Sequence, residues 1–409
     1  MVSSGVYFML LMRPIKDFLQ DFSVSAFVTG LIAVIVSYAG PLVIVFQAAK
    51  TGQLTSAQLS SWIWAISIGS GISGLVLSLR YRTPVITAWS TPGAALLVTS
   101  LAQYSYAEAI GAYLFSALLI TLLGATGLFS RLMEKLPVSV VAAMLAGVLF
   151  RFGVGVFSSL AELPLLVLPI ILVYLLARRI WARYAIIAAL TAGVSLSFLM
   201  SLLNFERFYA ALAVPQWTMP AFSLSAIIGL GIPLCFVTMA SQNAPGIAVL
   251  RTAGYELPAN PLVTSTGLIS LLLAPFGAHG INLAAITAAI CTGTESHPSL
   301  ARRYVAGVSC AMFYLLIGSF GATIASVFSS LPSVLIASIA GLALFGSLAN
   351  GLGVALVNES KREPALITFL VTASGISFFG IGAAFWGLVL GVLAENVLFG
   401  KLTWHRAAA

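Results

Sequence analysis

Residues 83–95, Thr-Pro-Val-Ile-Thr-Ala-Trp-Ser-Thr-Pro-Gly-Ala-Ala, interrupt a chain that is otherwise apolar over long stretches. β-Favouring residues centred on Val85 to Thr87 run into Ser90, Thr91, Pro92 and Gly93, and a new apolar helix then begins. In a soluble protein this would be an ordinary strand–turn–helix. In a bilayer, backbone leaves the helix only where it lines a cavity or is buried in protein, because lipid satisfies neither N–H nor C=O. A span broken in this way points to a transport site.

The bilayer setting follows from charge. Only 7% of the 409 residues are charged and 60% are hydrophobic, with a mean hydropathy of +1.08; soluble domains carry about 25% charge. The 19 basic and 11 acidic residues punctuate apolar runs. The net charge of +8 therefore does not read as a nucleic-acid face. Cys235, Cys291 and Cys310 lie inside apolar segments without CxxC spacing, which argues against a disulfide framework or zinc site and for core packing. Three scattered histidines offer no metal site, and no cofactor motif is present. Met1 to Leu11 is apolar but short and lacks a basic flank, a poor signal peptide, and Met12-Arg13 reads as an alternative start. Ala407 to Ala409 reads as a disordered end.

The apolar runs divide into fourteen spans: 24–48, 59–79, 84–102, 108–129, 137–157, 163–177, 184–203, 222–249, 262–277, 281–294, 304–328, 332–357, 365–379 and 381–399. The third and tenth are broken or short, and the eighth is long. With the N-terminus inside, only Lys50, Arg151 and Arg207 of the 19 Lys and Arg fall on the outer side. That bias is the positive-inside pattern and places both termini in the cytoplasm.

The halves resemble each other. Pro137 opens Val-Ser-Val-Val-Ala-Ala-Met-Leu-Ala-Gly-Val-Leu-Phe150, and Pro332 opens Ser-Val-Leu-Ile-Ala-Ser-Ile-Ala-Gly-Leu-Ala-Leu-Phe345. Arg131, Glu134 and Lys135 precede the first copy, whereas Val327 to Ser330 before the second are uncharged. One copy then starts inside and its twin outside, as in an inverted repeat. Gly40-Pro41 pairs with Ala244-Pro245, and Thr91 with Thr287, at similar offsets. The expected fold class is an all-α polytopic membrane protein, with repeat 1 over 24–203 and repeat 2 over 222–399 and short extended segments breaking spans 3 and 10.

Several motifs occur in order: Ala88-Trp-Ser-Thr-Pro-Gly-Ala-Ala-Leu-Leu97, Ser241-Gln-Asn-Ala-Pro-Gly246, Ala285-Ile-Thr-Ala-Ala-Ile-Cys291 and Ala384-Phe-Trp-Gly387. From about Phe22 to Leu398 the chain resembles the bacterial benzoate/proton symporter family, itself similar in fold to uracil-type nucleobase transporters and sulfate permeases. The resemblance implies a core domain (24–129 plus 222–328) and a gate domain (137–203 plus 332–399) in the cytoplasmic membrane. It further implies a site between the halves of spans 3 and 10, and alternating access by movement of core against gate. The uracil-type relatives use acidic residues in spans 8 and 10. This chain has Gln242 in span 8 and no acid at the start of span 10, so that proton mechanism does not carry over.

An aromatic carboxylate needs a positive element and a flat apolar slot. Two half-helix N-termini supply the first without Lys or Arg. Ser90 or Thr91 is expected to cap one, with Pro92 in its first turn, and Ile286-Thr287 the other; the plainer alternative is that Ser90 and Thr91 only cap a broken helix. Ser241, Gln242 and Asn243 form the most polar run in any span, suited either to substrate or to bonds between helices. Tyr38, which matches Gln242 under the repeat, and Trp89 are candidate aromatic walls. Glu295 and Glu395 are the acids deepest in apolar sequence and the candidates for proton coupling, although Glu295 lies about 12 Å beyond Thr287 along a helix. Arg151 is a candidate for gating or anion attraction, or simply snorkels. Gly387 and Gly391 form a GxxxG that reads as close helix packing or a homodimer face.

No H-E-x-x-H, G-x-S-x-G or nucleotide-binding loop appears, so neither an enzyme nor an ATP-driven pump is expected. The expectation is a secondary transporter of benzoate or a similar small aromatic carboxylate with protons. Another small organic anion, a nucleobase, or a channel-like anion pathway remain as alternatives.

Overall fold

Proline, glycine and hydroxyl side chains decide where the helices of this apolar chain stop. In the computed structural model, which describes residues 17–129, 137–204, 208, 210–379 and 381–399, α1 (Val24–Ala39) ends at Gly40 and α2 (Pro41–Thr51) starts on a proline that has no N–H to give. Met1 to Leu11, Met12, Glu134, Ala407 to Ala409, and Arg13, Lys16, Arg131, Lys135, Arg207, Lys401 and Arg406 of the charge pattern lie outside the described residues. A Thr55–Gln58 capping box starts α3 (Ser56–Tyr81), and a Ser105–Glu108 box starts α5 (Tyr106–Ala125). Between them lie β1 (Thr87–Trp89) and α4 (Thr91–Ser100).

Next come α6 (Val138–Glu162), α7 (Pro164–Ile180) and α8 (Ala185–Leu199). The long α9 (Leu224–Arg251) contains two π turns, Ile227–Gly231 and Met239–Asn243. Each precedes a proline, Pro233 or Pro245, whose missing N–H removes one helical bond and lets the turn widen. After α10 (Ala259–Leu273) come β2 (Ile281–Leu283) and α11 (Ile286–Thr292). The chain closes with α12 (Tyr304–Ser319), α13 (Gly321–Ser329), α14 (Ser333–Leu356), α15 (Arg362–Ser374), the hairpin of β3 (Ser377–Phe378) and β4 (Ile381–Gly382), and α16 (Ala383–Phe399).

Eight stretches among the described residues are helical, long and apolar enough to cross a membrane. The expected spans 3 and 10 are each a three-residue strand followed by a short helix. Two expectations need correction. The stretch 304–328 is not one helix: Ala213 donates to the Ser319 carbonyl (2.8 Å) from the segment before α9, and the helix breaks at Phe320. The stretch 365–379 ends as a helix at Ser374, because Gly375 turns left-handed (φ +66°) and the chain enters the hairpin.

Packing sorts the helices into two sets. One surrounds the strands: α3 packs on α12, α10 on α5, and α1 on α12. In the other, α6 packs on α14 and α15, α15 on α16, and α7 on α8. Gly387 and Gly391 are buried against Thr372 and Thr368 of α15, so the GxxxG serves close packing within the chain.

Candidate functional site

The two strands form an antiparallel pair with Thr87 opposite Leu283, Ala88 opposite Asn282 and Trp89 opposite Ile281. Both are fully buried, so each outer edge needs polar partners. Ser73 donates to the Thr87 hydroxyl (2.9 Å), which donates to the Ser70 carbonyl (2.7 Å). Ser78 donates to Val85 O (3.2 Å). On the other edge the Ser270 hydroxyl accepts from Ile281 N (2.7 Å) and donates to Ile281 O (3.2 Å). Serines of α3 and α10 thus do what neighbouring strands would do in a larger sheet.

Each strand delivers the chain to a helix N-terminus, and the two termini differ. At α4 the Ser90 hydroxyl accepts from Gly93 N (3.0 Å) and from Thr238 Oγ1 (3.1 Å), and Ser90 O accepts from Ala94 N (2.8 Å). Ser90 is therefore the cap, as its position suggested, and is fully buried. Thr91 stands next to it, half-buried, with no hydroxyl partner among the described residues.

At α11 the expectation fails in part. The N-cap is Ala285, which has no side-chain acceptor, while Ile286 and Thr287 occupy the first helical turn. Thr287 is too far inside the helix to cap it. Its hydroxyl is buried without a partner among the described residues, whereas Ile286 is 70% exposed. The first amides of α11 are left without a side-chain cap.

Three aromatic rings stand beside the crossing. Tyr38 meets Trp89 edge-on at 5.3 Å between centroids, and Tyr314 lies 6.0 Å from Tyr38 and 5.9 Å from Trp89. The Tyr38 hydroxyl bonds Ser67 (2.5 Å) and the Tyr314 hydroxyl donates to Ser37 (2.6 Å), which fixes both rings. The Trp89 indole N–H is buried without a partner among the described residues. Tyr314, one tyrosine in an apolar helix, carries no local sequence signal of this role.

The polar run of α9 divides by direction. Ser241 donates back to the Val237 carbonyl of its own helix. Asn243 accepts from Leu283 N (2.9 Å) and so holds β2. Gln242, half-buried, has no side-chain partner among the described residues.

His279 was also missed. It is 1% exposed, and its Nδ1 accepts from Trp62 Nε1 (2.9 Å) while Nε2 lies 3.0 Å from Ser90 O. Indole N–H can only donate, so Nδ1 is bare and Nε2–H donates to Ser90: the ring is neutral and held in one tautomer. The flanking glycines, Gly277 at φ +109° and Gly280 at φ +152°, were the available sequence signal.

A family model described as benzoate membrane transport protein matches residues 20–397. The chain belongs to this family. It is 43% identical over 384 residues to the benzoate membrane transport protein of Acinetobacter baylyi, covering 94% of this chain and 98% of that one. It is 44% identical over 369 residues to the inner membrane protein YdcO of Escherichia coli, covering 90% and 94%. Among solved structures the fold is similar to the transmembrane domain of a cyanobacterial bicarbonate transporter, BicA (TM-score 0.55, 15% identity, 92% of this chain and 96% of that one). It is also similar to the murine Slc26a9 anion transporter in the inward-facing state (TM-score 0.59, 12% identity, 96% and 71%). At those identities the likeness establishes the fold. This member of the benzoate transport family is an integral membrane transporter and not an enzyme.

The remaining candidates of the transporter lie away from the crossing. Glu295 is exposed in the turn after α11, and its carbonyl accepts from Ser25 (2.5 Å). Glu395 of α16 pairs with Lys361 (2.7 Å). Arg151 of α6 donates to the carbonyls of Ala373 (3.1 Å) and Ser374 (2.6 Å), where it caps α15.

Proposed function

We propose that this protein carries benzoate, or a similar small aromatic carboxylate, across the bacterial inner membrane together with a proton. The observation that carries this reading is the meeting of two oppositely running strand–helix breaks beside the Tyr38–Trp89–Tyr314 rings, with the Trp89 N–H and Thr287 hydroxyl both buried and unpartnered among the described residues. Orphaned buried donors are costly unless something accepts from them, by about 1–3 kcal/mol each. A carboxylate between the breaks would accept from these groups, from Thr91 and from the first amides of α11, with its ring against the aromatic wall.

On this reading the fourteen spans form two inverted repeats of seven, and both termini face the cytoplasm. The core is 24–129 plus 222–328 and the gate 137–203 plus 332–399, with transport by alternating access between them. The antiparallel strand pair supports the inversion, since spans related by it must enter the crossing from opposite sides. A homodimer within the bilayer belongs to the same proposal.

Counterflow of labelled benzoate in proteoliposomes, with and without an imposed pH gradient, tests the reading. Saturable exchange and gradient-driven accumulation are the expected results. Non-saturating flux would favour a channel, a gradient without effect would remove symport, and preferential competition by a nucleobase or another small anion would reassign the ligand.

A further inference from the structure

We infer that His279 is the proton-binding residue of this transporter, taking up its proton at Nδ1 when the anion binds; the inference rests on the symport reading above. The described acids are engaged or remote. Glu108 closes a capping box, Asp17 and Asp21 pair with Arg82, Glu395 pairs with Lys361, and Glu295 lies exposed beyond α11. His279 instead touches the crossing directly, through the carbonyl of the residue that caps α4.

The groups that face His279 leave it without a resident counter-charge. Trp62 of α3, Ser90 ahead of α4 and Thr238 of α9 bring no charge, and its own segment from Ala274 to Ala285 has no other titratable side chain. From α5 comes Tyr113, whose ring lies edge-on at 6.4 Å, and one face-length away Tyr106, which approaches Gly277 and Trp62. Both phenol hydroxyls are buried without partners among the described residues. Two turns apart on one face of α5, these neutral phenols bring no counter-charge to the imidazole.

In this setting an imidazolium is disfavoured until a negative charge arrives. The substrate carboxylate, held at the helix N-termini next to Ser90, is that charge. Binding of the anion and of the proton then favour each other, and neither crosses efficiently alone. The balance is simple: one proton leaves solvent, binds the Nδ1 lone pair, and departs with the carboxylate on the other side. Two N–H groups cannot face each other, so the Trp62 bond must open as Nδ1 is protonated. The proton is thereby reported to α3 as a released contact.

The test measures proton uptake on benzoate binding by the purified full chain in weakly buffered detergent solution. The wild type is expected to take up about one proton per benzoate, with affinity falling about tenfold per pH unit above the titration. His279→Gln, whose amide can both accept from Trp62 and donate to Ser90, is expected to take up none and to lose that slope. Trp62→Phe frees Nδ1 and is expected to move the slope to higher pH, which keeps the test open if the glutamine variant does not fold. Undiminished uptake by folded His279→Gln, or an unmoved profile in Trp62→Phe, overturns the assignment while symport stands. No uptake by the wild type overturns both.

Discussion

The Asn243 side-chain oxygen accepts the Leu283 N–H at 2.9 Å and so joins a π turn of α9 to the strand that precedes α11. Asn243 also donates to Met239 Sδ at 3.3 Å, so neither end of its amide faces the crossing unengaged. In Asn243→Ala the Leu283 N–H loses its acceptor in a dry interior, at a cost of about 1–3 kcal/mol. The expected outcome is a lower thermal midpoint in detergent together with reduced uptake. An unchanged midpoint would mean that β2 is held by other contacts.

Gln242 and Thr91 should behave differently. Both are half-buried and neither side chain has a partner among the described residues, so removing their polar atoms leaves no group of the protein stranded. Gln242→Ala and Thr91→Val are expected to weaken benzoate uptake about tenfold, the size of one lost hydrogen bond to a charged ligand, at an unchanged thermal midpoint. Full uptake by both variants would place the ligand elsewhere.

What the sequence made legible was local chemistry. The break at Ser90 could be read because a β-branched run, a capping hydroxyl and a proline stand within a few residues of each other, and the structure has the strand, cap and first turn there. The break at Gly40 falls inside the single span expected over 24–48, with Gly40-Pro41 as its local signal. What could not be read depends on distant partners. At Phe320 the break comes with Ala213 taking the Ser319 carbonyl, and the flanking Gly318 and Gly321 are too common a residue type in membrane spans to mark it alone. His279 and Ser90 are 189 residues apart, and Asn243 and Leu283 are 40. The cap of α11 was misplaced for a subtler reason: Thr287 is the right residue type two positions too late, and the cap position holds an alanine.

Arg151 gives a prediction opposite to that for a gating charge. Its guanidinium closes the end of α15 just where Gly375 takes φ +66°, and a Cβ on Gly375 would run into that guanidinium. Gly375→Ala therefore combines a left-handed backbone with the loss of the Arg151 cap, at an expected cost of about 1–3 kcal/mol. Arg151→Lys cannot reach two carbonyls from one planar group and is expected to lower stability by about 1 kcal/mol. Thermal midpoints should fall in both, with the substrate affinity of the folded fraction unaltered. A changed affinity at constant stability would restore the anion-attracting role.

Gly40 lies where the two packing sets meet. A Cβ there would come within 2.8 Å of the Ala343 Cβ in α14 and 3.2 Å of Ile186 in α8. If the sets move against each other during transport, this contact is remade in every cycle, and a methyl group at position 40 wedges it apart in the state seen here. Gly40→Ala should therefore slow counterflow while benzoate binding, measured at equilibrium, changes less. Ala343→Gly removes the opposing methyl group; alone it costs about 1 kcal/mol of helix stability, but in the double variant it should restore exchange. Non-additivity of that kind separates a steric contact between moving bodies from a general loss of fold, which would make the double variant worse than either single one. Equal slowing in the Gly40→Ala and double variants would indicate that the contact plays no part in the transport cycle.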